Sequence, residues 1–293
     1  MSDIPAVLDA AAPPSRARLV RLRHHVPPTI ALAMALLAGV VVCAIVGPAL
    51  IGIDPDAQNL GAALAKPSDA HRLGTDDLGR DVLARTIAGA RNGLLGPAAV
   101  ALGAMAIGNV LGLLAGYLGG AVDALVMRWV DLMYALPALL VAIVVVGVVG
   151  GGYGVALVLL IVLFSPYDTR VVRGAALGQR ALPYVEAARA SGLPSWRIMA
   201  RHIWPAILPI VVANTLLSFA LALVALSALS FLGLGAAPGV PEWGRMLAEN
   251  RTLLFDNPLS ALAPGLALVL TAICVNLVGE WAREALTARR RVP

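Results

Sequence analysis

From Thr29 to Leu50 the chain carries no charged side chain, and five more long apolar runs follow. They are Gly93 to Leu118, about Leu125 to Val149, a run from Gly152 that is strictly apolar to Phe164 and continues past Pro166 toward Arg170, Ala206 to Leu234, and Ala261 to about Val278. A lipid hydrocarbon core about 30 Å thick takes roughly 20 apolar residues of helix, so these runs predict six transmembrane helices. Composition leaves no soluble alternative. Of 293 residues, 59% are hydrophobic and 13% are charged, against about 45–50% and about 25% in a soluble domain.

Glycine and proline punctuate the runs at Gly96, Pro97, Gly103, Gly108, Gly112, Pro137 and Pro209. In a membrane bundle small residues let helices approach closely, and neighbours satisfy the backbone groups that proline frees. Gly108, Gly112 and Gly116 share one helix face and read as a packing stripe. Six spans put both termini on one side. The N-terminal arginines 16, 18, 21 and 23, Arg128, the arginines between residues 170 and 201, and the C-terminal arginines supply fifteen basic residues there, against seven opposite. The positive-inside bias then places the termini and the loop of residues 167–208 in the cytoplasm. The net charge of +5 is a membrane-face signal, and nucleic acid is not an expected partner. The expected organisation is a disordered cytoplasmic tail over 1–27, a first helix over 28–51, an extracytoplasmic segment over 52–92, a five-helix core over 93–282 containing the 167–208 loop, and a basic tail over 283–293. The first run follows about 28 residues and lacks a cleavage signature, so it is expected to remain as a membrane helix. Cys43 and Cys274 lie inside apolar runs and read as small core hydrophobes.

The 167–208 loop is more than a tether. In Leu182-Pro183-Tyr184-Val185-Glu186-Ala187-Ala188-Arg189-Ala190-Ser191-Gly192, proline suits the first helical position, Glu186 the first turn, and Gly192 the position just past the end. A second short helix is expected from Trp196 to Ile203, stopped by Pro205. Glu186-Ala187-Ala188, the glycine four residues later and the closing proline resemble the EAA loop of binding-protein-dependent ABC import permeases. The resemblance implies that Glu186, Ala187, Ala188, Arg189, Ala190 and Gly192 form a coupling helix that docks on an ATPase subunit. The ending Ile203-Trp204-Pro205 departs from the family's Ile-Leu-Pro form by one packing residue.

Other stretches are similar to the dipeptide/oligopeptide/nickel branch of that family. They are Leu73-Gly74-Thr75-Asp76-Asp77-Leu78-Gly79-Arg80-Asp81, Arg128-Trp129-Val130-Asp131 with Pro137, Leu229 to Gly235, Glu242-Trp243-Gly244 with Met246-Leu247, and Asn276-Leu277 with Gly279, Arg283 and Leu286. The first points to the DppC/OppC type of subunit. The likeness spans about residues 28–288 and implies a type I ABC importer permease, an all-α membrane fold of six helices with a cytoplasmic EAA coupling loop. It implies import of peptides, with nickel complexes or haem-type ligands as the alternative cargo. It also implies a homologous DppB/OppB-type permease, cytoplasmic ABC ATPases and an extracytoplasmic solute-binding protein as partners, in surrounding lipid of the cytoplasmic membrane.

The acidic residues Asp76, Asp77 and Asp81 lack the spacing of a calcium loop and read as a structural turn. Arg128 and Asp131, three apart, are expected to form an interfacial anchor or a local ion pair. Asn109, Asn214, Ser218 and Asn276 either line a polar translocation path or bond helix to helix. No row of intramembrane carboxylates marks an ion-driven transporter. The single lysine, Lys66, has no phosphate-loop glycines around it, so ATP and magnesium belong to partner subunits. No catalytic or metal-ligating set is evident, and the chain is expected to be non-enzymatic.

Overall fold

The computed structural model describes residues 26–288. The expected tail over 1–27 lies almost wholly outside the described residues, as do Arg289, Arg290 and Arg291. Among the described residues the chain is helical, with one isolated β-bridge between Thr75 and Asp81 and no extended strand.

Helix α1 (Pro28–Ile51) opens on a proline in its first turn and closes on Gly52 in the left-handed region, the two positions these residues favour. After a looped segment, α2 (Val82–Leu118) starts where the Asp81 carboxylate accepts the Ala84 N–H at 2.8 Å. It therefore begins well before Gly93, so the last part of the segment expected over 52–92 is helical. Hydropathy places Arg85 outside the span, but the fold buries its guanidinium among carboxylates at the helix start.

The third apolar run is broken. Helices α3 (Gly120–Tyr134) and α4 (Ala138–Val149) meet at 80° across Pro137. At 1.5 Å per residue neither crosses about 30 Å alone. Yet α2 and α5 (Tyr153–Arg180) run parallel, with Gly96 against Tyr153 and Gly116 against Ala176, so the chain returns through the α3–α4 pair between them. Helix α5 passes through Pro166, which cannot donate to the Val162 carbonyl. The Ser165 hydroxyl donates to that carbonyl instead, at 2.7 Å. The helix thus continues through Tyr167 to Arg180, and the loop expected from residue 167 begins at Ala181.

Two short helices follow, α6 (Pro183–Ala190) and α7 (Ser195–Ile198). Pro205 does not stop the second one. A π-turn over Met199–Ile203 widens the backbone, Pro205 falls in the first turn of α8 (Trp204–Phe231), and the helix runs on. First-turn proline costs little because its N–H would be unpaired there. Helix α9 (Trp243–Asn250) and helix α10 (Leu259–Ala288) complete the chain. In α10, Pro264 leaves the Ser260 carbonyl free, and the Asn250 amide donates to it at 3.0 Å. Helix α10 extends beyond Arg283 to Ala288, so the tail expected from 283 starts as helix.

Among the described residues five helices are long and apolar enough to cross a membrane, and the bent α3–α4 pair taken as one span makes six. The most extensive interface joins α2 and α5. It rests on the glycine stripe: a Cβ on Gly108 would come within 2.5 Å of Asp168 Cβ, and one on Gly112 within 2.7 Å of the Thr169 carbonyl. Without side chains there, the two backbones pack directly.

Candidate functional site

The chain order puts α6 at one end of the bundle and α9 at the other. At the α6 end, the short helix is held by its own periodicity. Val185 and Ala188, three apart, are buried, while Tyr184, Glu186, Ala187, Arg189 and Ala190 are exposed. The buried pair joins an apolar cluster with Val172 and Ala176 of α5, Ile198 of α7, and Ile207 and Val211 of α8. Ala188 therefore anchors the helix, and the outward face is Glu186, Ala187, Arg189 and Ala190. The Arg189 guanidinium lies 5.5 Å from the centre of the Tyr117 ring at the end of α2, a cation–π contact.

Gly192 closes α6 at φ 76°. Its N–H donates to the Arg189 carbonyl at 3.0 Å, and the Leu193 N–H donates to the Ala188 carbonyl at 3.3 Å. This is a Schellman cap with its usual apolar contact, since Leu193 packs against the same cluster. The cap turns the chain sharply into α7. The same device ends α8, where Gly233 (φ 80°) donates to Ser230 and Leu234 to Leu229.

The centre of the bundle holds a group that the apolar-run reading passed over. Asp168 on α5 is fully buried. Its Oδ1 accepts from the Asn214 amide at 2.6 Å and from the Ser218 hydroxyl at 3.1 Å, both on α8. Two of the four polar candidates, Asn214 and Ser218, are thus brought together around it. Asn109 on α2 is not bonded to them, and its Oδ1 is buried without a hydrogen-bond partner. The fourth run is strictly apolar to Phe164 and is expected to continue past Pro166 toward Arg170, but the loop drawn from residue 167 leaves Asp168 outside the core. The sequence signal was Ser165 before Pro166, a pairing that lets a helix continue. Ser218 also lines a cavity of about 270 Å³ at the α3–α4 break, walled by Tyr134, Leu136, Phe164, Pro166 and Tyr167. Asp131 does not pair with Arg128. It accepts from Arg170 of α5 at 2.9 Å, and that guanidinium sits 4.4 Å over the Tyr134 ring.

The α9 end is dense with charge. Asp76 is 1% exposed and Arg80 4%. Asp76 Oδ1 accepts the N–H groups of Leu78 and Arg80, and Oδ2 accepts Arg80 Nε at 2.6 Å. Arg80 and Arg85 both reach Glu249 of α9, and Arg85 also donates to the Gly239 carbonyl at 3.1 Å. Gly74 and Gly79 adopt positive φ, and a Cβ on Gly79 would collide with the Asn59 carbonyl. The Gly74–Asp81 motif is a wired turn, and among the described residues no group of three His, Cys, Asp or Glu is arranged to hold a metal.

Glu242 caps α9 through both carboxylate oxygens, accepting from Gly244 and Arg245 N–H. Burial pushes its carboxyl above the usual range, and those N–H groups offset only part of the shift. For Glu249, burial alone would act in the same direction. The Gly239 N–H together with Arg245, Arg80 and Arg85 outweighs it and holds that carboxyl below the usual range. Trp243 lies against Gly89 and Gly93 of α2, where any Cβ would strike its ring, and its Nε1 donates to the Thr86 carbonyl at 2.9 Å.

This arrangement has counterparts among known proteins. Residues 108–292 match the family described as binding-protein-dependent transport system inner membrane component. The glutathione transport system permease protein GsiD of Pectobacterium atrosepticum is 41% identical over 220 residues, covering 75% of this chain and 73% of that protein. The dipeptide transport system permease protein DppC of Alkalihalophilus pseudofirmus is 34% identical over 256 residues, with 87% and 84% covered. A chain of the inward-facing MetNI methionine ABC transporter shares the fold at a TM-score of 0.51 and 20% identity, over 67% of this chain and 94% of that one.

Proposed function

Since the chain belongs to the family of binding-protein-dependent transport system inner membrane components, we propose that it is the permease subunit through which an ABC importer carries peptides across the cytoplasmic membrane. The peptide cargo is supported by the relatives named for dipeptide and glutathione transport. The observation that carries the mechanism is α6. It is a short helix seated by two apolar residues across α5, α7 and α8, with Glu186, Ala187, Arg189 and Ala190 facing out at one end of the bundle.

In this reading the α6 end is cytoplasmic and docks on ABC ATPase subunits, which bind ATP and magnesium. Closure of the ATPases pushes α6. The push passes through Val185 and Ala188 into α5 and α8, and the π-turn at Met199–Ile203 is the softer joint between α7 and α8. A homologous DppB/OppB-type permease completes the pathway, and a solute-binding protein delivers the peptide at the α9 end. The cavity beside Ser218 forms part of the route. This chain itself makes and breaks no covalent bond.

The test is uptake of a radiolabelled dipeptide into proteoliposomes holding the assembled complex and ATP. ATP-dependent accumulation that disappears when this chain is omitted is expected. Assembly with ATP hydrolysis but without peptide accumulation overturns the cargo.

A further inference from the structure

Asp168 is a buried carboxyl group with hydrogen bonds but no countercharge. Its Oδ1 holds both donors, and its Oδ2 is buried without a hydrogen-bond partner. The nearest cations on its own helix are committed elsewhere, Arg170 to Asp131 and Arg173 to Asp123, and among the described residues no ion pair reaches it. A carboxylate in such a place is costly unless something completes it. Packing alone does not require it. The Cβ lies against Gly108, and an apolar side chain would fill that seam without desolvating a charge.

Ser218 links Asp168 to a cavity wall. Ser218 donates its proton to Asp168 Oδ1 at 3.1 Å and also lines the cavity at the α3–α4 break. With that proton engaged, the Ser218 oxygen has only its lone pairs left for a further contact. Its acceptor strength is raised by the carboxylate behind it. Tyr134 and Tyr167 line the same cavity; the Tyr134 face is taken by the Arg170 guanidinium, which is paired with Asp131, so Tyr167 supplies the aromatic face that favours a cation. The remaining wall is apolar, so little else there competes for a charged guest.

We propose that Asp168, acting through the Ser218 hydroxyl, makes this cavity a cation-receptive subsite that takes the ammonium group of the transported ligand. That the ligand is a peptide with a free amino terminus rests on the import reading above. The electrostatic character of the site does not.

The test reads that character directly. In the assembled complex with Cys43→Ala and Cys274→Ala, Ser218→Cys places one thiol in the cavity wall. Its rates of modification by a 2-aminoethyl and a 2-hydroxyethyl methanethiosulfonate are compared. Any change in thiol ionisation cancels in the ratio, which leaves the attraction for the ammonium reagent. The ratio favours the ammonium reagent and falls about tenfold when Asp168→Asn is added, the size expected for a unit charge several ångströms away at intermediate dielectric.

A ratio that Asp168→Asn leaves unchanged overturns the proposal, as does a thiol that neither reagent reaches while the complex still hydrolyses ATP. If Ser218→Cys does not assemble, Leu221→Cys on the same wall carries the same measurement. A complex that shows the falling ratio but imports no peptide keeps the subsite and loses the cargo.

Discussion

The two ends of the bundle are held by different physics. At the α9 end, Asp76, Arg80, Arg85, Arg245 and Glu249 form a buried network that ties the segment before α2 to α9. Glycines there sit where any side chain would strike backbone. At the α6 end, the short helix is seated by Val185 and Ala188, with the Arg189–Tyr117 cation–π contact and a Tyr184–Gln179 hydrogen bond beside them, and its capping glycine has open space around it. The first end resists displacement because moving it strands buried charges. The second is a light handle on a stiff frame, which suits the proposed coupling role.

The largest effect should come from stranding the charges. Asp76→Ala leaves Arg80 and Arg85 buried with too few partners and should cost about 3–5 kcal/mol. The check is thermal unfolding of the purified complex. A loss no greater than that of an exposed substitution would break the contrast between the ends.

One substitution made at both ends sharpens it. Gly244→Ala puts a Cβ about 2.2 Å from the Ser227 carbonyl oxygen and should cost about 3 kcal/mol as overpacking. Gly192→Ala meets no atom within 4 Å but keeps φ at 76°, so only backbone strain applies, about 1 kcal/mol. The same unfolding assay should rank them in that order. Gly192→Ala should lower uptake more than its stability loss explains, because it re-aims α6.

A smaller effect separates the ends by pH. The Glu249 carboxyl is held below its ordinary value. Its contribution is therefore complete above the ordinary glutamate range, near pH 4.3, and is lost as pH falls through that range toward its folded value. Glu242, raised by burial, acts in the opposite sense. Protonation there favours the fold, and that support fades as pH rises through its folded value. Comparing melting at about pH 4 and about pH 7 for wild type and Glu249→Gln isolates the first group. Wild type should lose more on acidification than the variant, and equal losses would remove Glu249 from the network.

The sequence carried the spans through their length and apolarity, and it carried α6 through Pro183 and Gly192, whose backbone preferences are local. It missed what depends on partners distant in the chain. Helix α2 starts early because Arg85 finds Glu249 far along the chain. Helix α5 passes Pro166 toward Arg170 as expected, but it runs on to Arg180 and packs Asp168, which the loop drawn from residue 167 includes, against Asn214 and Ser218 of α8. Pro205 reads as a stop, yet the π-turn before it carries the helix on. Asn214 and Ser218 were visible as polar residues in an apolar run, but the carboxylate that unites them was not. Ala188 belongs to the motif, yet only the fold shows that it faces inward.

The central claim is that α6 transmits the work of the ATPases, and Glu186→Lys tests it most directly. Glu186 is exposed, so the variant complex should assemble and melt within about 0.5 kcal/mol of wild type. Peptide uptake and peptide-stimulated ATP hydrolysis should be lost together in proteoliposomes. Normal uptake by Glu186→Lys would contradict the account and leave Pro183–Ala190 as a loop helix with no part in coupling.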